Sequence, residues 1–149
     1  MSDLVATELV EFFVPGTPVP QGSKQGYVVK GRALIVDDNA KVLKPWRKLV
    51  TLTAKKAFGA SPRIEGAVAL TASFRFVKPR TVDREFMTVK PDADKLLRAL
   101  LDGITDAGVW RDDAQVIRAY PEKVYATEAG VLVRIGEYRH HPTLEGATA

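Results

Sequence analysis

The run from Pro91 to Asp113 constrains this 149-residue chain more than any other stretch. Pro91 fixes its own φ and biases Lys90 away from the helical region, so the chain enters extended. Leu96, Leu97, Leu100, Leu101 and Ile104 then recur at the three- and four-residue spacing of a helix. At about 100° per residue they fill an arc of about 140°, a stripe that faces a core. The spacing predicts a helix over residues 94–107, ended by Gly108. Lys95, Arg98, Asp102 and Asp106 fall off the stripe. Val109 and Trp110 form an apolar plug, and Asp112 and Asp113 follow it. Four carboxylates, Asp92, Asp94, Asp112 and Asp113, thus flank one helix.

The rest of the chain mixes strand and helix signals. Residues 8–14 are β-rich and stop at Pro15-Gly16. Residues 17–26 hold Pro18, Pro20, Gly22 and Gly26 and read as a loop. Residues 27–29 and 33–36 flank Lys30-Gly31-Arg32 as a short hairpin. Pro45 suits the first turn of a helix reaching Phe58, with Gly59 as its stop. Residues 67–77 alternate as a strand, with Val68, Leu70, Ala72, Phe74 and Phe76 on one face. A basic loop covers 78–90. Residues 116–126 and 131–138 read as two strands joined as an antiparallel pair. The sum is one α+β domain over residues 1–149, a mixed sheet packed with two main helices. Its ordered core covers about 8–138, and 139–149 form a tail.

Composition narrows the chemistry. There is no cysteine, which removes disulfides, thiolate nucleophiles and Cys-based zinc sites. The two histidines, His140 and His141, are adjacent and near the C-terminus, so a histidine-based serine hydrolase does not fit. No apolar run of membrane-spanning length and no signal-peptide pattern occurs, and a cytoplasmic protein is expected. The formal charge of +4 and pI of about 9.4 favour an anionic partner, with nucleic acid first.

A carboxylate cluster repels phosphate, whereas a basic surface attracts it. A divalent metal between the two resolves the conflict. Aspartate oxygens suit Mg²⁺, with Mn²⁺ as a substitute, over a soft metal. Positions 92 and 94 of an extended step point to one side, so both can face one ion. A helix of about 14 residues is about 20 Å long, so Asp113 reaches them only if the chain doubles back. Plain readings compete residue by residue. Asp94 is a good helix N-cap, Asp102 and Asp106 read as solvated helix charges, and Asp112-Asp113 can be a turn. An EF-hand does not fit, because Lys95-Leu96-Leu97 stands where further ligands and a glycine belong.

The stretch KPDADKLLRALLDGITDAGVWRDDAQV (residues 90–116) resembles the signature of the RusA family of Holliday junction resolvases. Pro15-Gly16-Thr17-Pro18-Val19-Pro20-Gln21-Gly22 is similar to that family's opening segment. The resemblance implies a RusA-like α+β fold and a metal-dependent, homodimeric endonuclease that cuts four-way junction DNA, leaving 5′-phosphate and 3′-hydroxyl ends. It implies that Asp92, Asp94 and Asp113 are the catalytic metal ligands, with Asp112 beside them. Arg98 stands where that family usually has lysine, and Lys95 where asparagine is common. Arginine cannot give up a proton, so charge stabilisation at the phosphate is the role expected of Arg98.

Backbone contacts are expected from Lys24, Arg80, Arg84, Lys90 and Lys95, and also from Lys30, Arg32, Arg47, Lys48, Lys55 and Lys78. Phe86, in the basic loop, is the expected wedge between bases. Trp46 and Trp110 are expected in the core. Two alternatives remain open: a nuclease with broader flap or fork preference, and a junction-binding protein with little or no cleavage.

Overall fold

A computed structural model describes residues 6–22, 24–29, 31–37 and 39–139. The tail expected over 139–149 lies outside the described residues from position 140 onward. The element order is β1 (Thr7–Pro15), β2 (Lys24–Val29), β3 (Arg32–Asp37), α1 (Ala40–Phe58), β4 (Val68–Val77), α2 (Ala93–Asp106), a 3-10 turn (Asp113–Gln115), β5 (Val116–Ala126) and β6 (Gly130–Glu137). No helix among the described residues is long and apolar enough to cross a membrane.

Strand β4 organises the domain. Its alternating Val68, Leu70, Ala72, Phe74 and Phe76 are all buried, while Thr71 and Val77 are exposed. One sheet face is therefore covered, and both helices share its core: Trp46, Val50 and Ala54 come from α1, and Leu96, Leu100 and Ile104 from α2. The four-stranded sheet has the order β1-β6-β4-β5, and β2-β3 form a separate hairpin. A mixed sheet with two helices bears out the α+β expectation. Each fully buried Leu or Ile of the α2 stripe contributes about 1.5–3 kcal/mol.

Three local expectations are corrected. Strands β5 and β6 do not form a hairpin. Each pairs with β4, β5 in parallel and β6 antiparallel, so β4 lies between them. The β4–α2–β5 crossover sets β5 beside β4. Residues 127–129 then step over the end of β4. The needed span is two strand spacings, about 9.6 Å, within the roughly 13 Å that four extended steps reach. Helix α1 starts at Ala40, five residues before Pro45, which lies inside it. Proline there removes one backbone hydrogen bond. Leu43, in the added turn, is buried at 5% exposure, and its packing offsets that loss. Helix α2 begins at Ala93, one residue before expectation.

The helices cross at Gly103. A Cβ there would stand 2.7 Å from Val50 Cγ1 and 3.3 Å from the Arg47 carbonyl. Thr51 Oγ1 lies 2.8 Å from the Gly103 carbonyl as a donor, which ties the crossing. Arg47 donates to Asp106 through Nε at 2.7 Å and Nη2 at 3.1 Å. Asp106 and Asp102 thus face α1 as ion-pair partners rather than standing as isolated surface charges. Gly103→Leu is expected to destabilise the fold by about 1–3 kcal/mol through overpacking. A thermal melt checks it, and an unchanged midpoint contradicts the close crossing.

Candidate active site

The acidic residues sit at two places along α2. Asp92 occupies the N-cap position in extended conformation (φ −73°, ψ 140°), and its carboxylate makes no capping bond. The preceding Lys90–Pro91 peptide is cis. Asp94 lies in the first turn, so the cap falls on Asp92 and not on Asp94. Both are exposed, and neither joins an ion pair among the described residues. A helix N-terminus favours negative charge nearby, and a cation can approach both exposed carboxylates.

Asp112 and Asp113 stand at the other end. Asp112 accepts from Ala114 N at 2.9 Å and caps the 3-10 turn. Gln115 closes the reciprocal half, with Oε1 accepting from Asp112 N at 3.1 Å and from Arg111 N at 2.8 Å. Its Nε2 donates to the Ile64 and Gly66 carbonyls at 2.9 and 3.0 Å, which pins the turn to the loop before β4. Trp110, buried, donates from Nε1 to Thr105 Oγ1 at 2.8 Å, and Ile64 N donates to the Val109 carbonyl at 2.8 Å. The apolar plug therefore fixes where the acid pair emerges.

Asp113 is held above the usual carboxylate range. Partial desolvation is the largest cause, followed by the Asp112 side chain and then by Asp102, while Arg98 pulls the other way. Arg98 is exposed and forms no ion pair among the described residues, so its guanidinium is free to meet a phosphate.

The chain does double back after α2, yet it returns a different residue. Strand β5 brings Lys123, whose Nζ donates to the Val89 carbonyl at 2.7 Å and the Pro91 carbonyl at 2.9 Å. Lys123 thereby anchors the segment that delivers Asp92. No group of three His, Cys, Asp or Glu residues able to hold a metal occurs among the described residues.

The basic residues gather nearer Asp92. Lys90, Lys95 and Arg84 line one cleft with it. Arg84 donates to Tyr125 Oη at 2.9 Å, so the 78–90 loop is tied to β5. Lys78 lies 5.7 Å from the same ring centre. Arg80 is exposed, and Phe86 is 71% exposed at the surface of that loop. Lys48 and Lys55 lie on the outer face of α1. Lys24 and Arg32 fall in the β2–β3 hairpin, with side chains outside the described residues, and Lys30 lies wholly outside them. Lys123 and Gln115 fall outside the site residues expected from sequence. Gln115 carries a local signal, the Asp-x-x-Gln spacing of a capping box. Lys123 carries none.

The family model described as "Endodeoxyribonuclease RusA" matches residues 15–136. The uncharacterized protein YqaN of Bacillus subtilis (strain 168) is 27% identical over 142 residues, 87% of this chain and 97% of its own length.

Proposed function

Because the chain belongs to the RusA endodeoxyribonuclease family, we propose that it is a Mg²⁺-dependent homodimer that resolves four-way DNA junctions by paired symmetric nicks. The observation that carries the reading is the family match across residues 15–136, which includes both acid pairs, together with the uncommitted carboxylates of Asp92 and Asp94.

Asp92, Asp94 and Asp113, with Asp112 beside them, would hold the cation. The donor set fits a hard ion: all ligands are carboxylate oxygens, and Mg²⁺ is satisfied by one or two carboxylates plus water and phosphate. Among the described residues of one chain, no three of these carboxylates form a group able to hold a metal. A second copy resolves this if its Asp113 joins the first copy's Asp92 and Asp94, and two-fold symmetry then gives two equivalent sites for the two strands of a junction. The cation supplies Lewis acidity at the scissile phosphate.

The chain's own residues do the rest. Arg98 neutralises charge on the phosphate without giving up a proton. Lys90, Lys95, Arg84, Arg80 and Lys24 hold the DNA backbone through charge, and Phe86 wedges between bases. Arg98→Ala is expected to slow cleavage about 100-fold, with Arg98→Lys intermediate. Single-turnover rates check this, and a full rate in the alanine variant removes Arg98 from the site.

Incubation with a labelled four-way junction, a flap, a fork and a linear duplex tests the reading. Cutting of the junction above all others supports it. Faster cutting of flaps or forks favours the broader branched-DNA nuclease, and tight junction binding in Mg²⁺ without nicks favours a binding protein.

A further inference from the structure

The cleft beside Asp92 holds about 1100 Å³, and phosphate chemistry does not account for its interior. Its rim is charged, with Arg84, Lys90 and Lys95 next to Asp92. Its inside is apolar, with Val19, Phe76, Met87 and Tyr125 among the lining residues. Two half-buried side-chain amides, Gln21 and Asn39, also line it. Gln21 Oε1 and Asn39 Oδ1 are shielded from solvent and accept no hydrogen bond from the described residues.

Such buried acceptors are costly unless a donor arrives. The wall that carries them is built firmly. Gln21 N donates to the Lys95 carbonyl at 2.9 Å, and Asn39 Nδ2 donates to the Pro20 carbonyl at 2.6 Å. The proline-rich segment 17–22 is thus docked on the first turn of α2 and on the start of α1. The cleft is a preformed slot with apolar walls, unpartnered acceptors inside and cations at the mouth. A nucleotide matches all three features: a flat base, N–H donors on its edge, and a phosphate outside.

We infer that this cleft receives one unstacked nucleobase next to the phosphate cut at Asp92, and that Gln21 and Asn39 select bases with an exocyclic amine. The inference rests on the endonuclease reading for its substrate. At a branch point strands exchange partners, so a base there leaves its stack at lower cost than one inside a duplex. Adenine, cytosine and guanine each bring an amine to the two acceptors, with a small rotation of either amide. Thymine has no amine, and its one edge donor, N3–H, lies between two carbonyl oxygens that meet the acceptors unfavourably.

Four junctions that differ only in the crossover base test this by fluorescence anisotropy. Binding is read in EDTA, where no cut is made. The wild-type protein is expected to bind amine-bearing crossovers about tenfold more tightly than thymine. Gln21→Leu keeps the backbone bond to Lys95 and is expected to bring that ratio below about threefold. Circular dichroism confirms that the variant is folded. Equal binding of all four bases, an unchanged ratio in Gln21→Leu, or no junction binding overturns the inference. Base selection with no cleavage once Mg²⁺ is added overturns the endonuclease reading alone, whereas cleavage without selection overturns the pocket alone.

Discussion

Asp92→Asn is expected to lower junction cleavage by at least about 10³-fold while junction binding stays within about threefold. Asparagine keeps the shape and loses the charge. The Asp92 carboxylate takes no part in capping α2, so its removal breaks no hydrogen bond that holds the helix. What disappears is a hard anionic ligand. Binding is carried by lysine and arginine contacts to phosphate and is not weakened by the loss of a negative charge.

Asp113→Asn is expected to give the same loss of rate with a second signature. The folded-state pKa of Asp113 is raised, so the charge opposes folding. The stability that Asp113 contributes is present below its unfolded pKa and lost as pH rises through the raised folded value. At neutral pH the asparagine variant should therefore melt higher than wild type, and the gap should close in acid. A site that is inactive but more stable is the mark of a carboxylate placed for a cation. A lower melting temperature in Asp113→Asn contradicts that account.

Mixing the two inactive variants is expected to restore nicking. Helix α2 has 14 residues, about 21 Å, with Asp92 and Asp94 at its start and the turn that bears Asp113 after its end. If each site takes Asp92 and Asp94 from one copy and Asp113 from the other, an Asp92→Asn/Asp113→Asn heterodimer has one intact site and one doubly damaged site. Random pairing then returns about a quarter of the wild-type sites. Because each heterodimer cuts only one strand, the product is nicked rather than resolved. If all ligands come from one chain, both sites of the heterodimer are damaged and the mixture stays inactive. Refolding the variants together, with each alone as control, separates the two cases.

Local signals were legible and global ones were not. The α2 stripe and the alternation of β4 are local patterns, and Leu96, Leu100, Ile104 and Phe74 are buried as their spacing predicts. The pairing of β5 with β6 is a choice among partners, and β4 takes the place between them, pairing with β5 in parallel and β6 antiparallel. Pro45 marks a helix start only where the preceding turn has nothing to bury, and Leu43 does.

The site divides in the same way. The acidic residues are readable because their motif is contiguous. Lys123 is 32 residues from Pro91 and meets it only through the parallel register of β4 and β5. Gln21 and Asn39 become neighbours of Asp92 only when the segment 17–22 docks on α2.

A supercoiled plasmid that extrudes a cruciform gives the most direct test of the central claim. With Mg²⁺, paired symmetric nicks across the extruded junction convert the plasmid to linear product with cuts at mirrored positions. EDTA, or Asp92→Asn, leaves it supercoiled. Linear product with cuts scattered outside the cruciform, or undiminished cutting in EDTA, contradicts a metal-dependent junction resolvase.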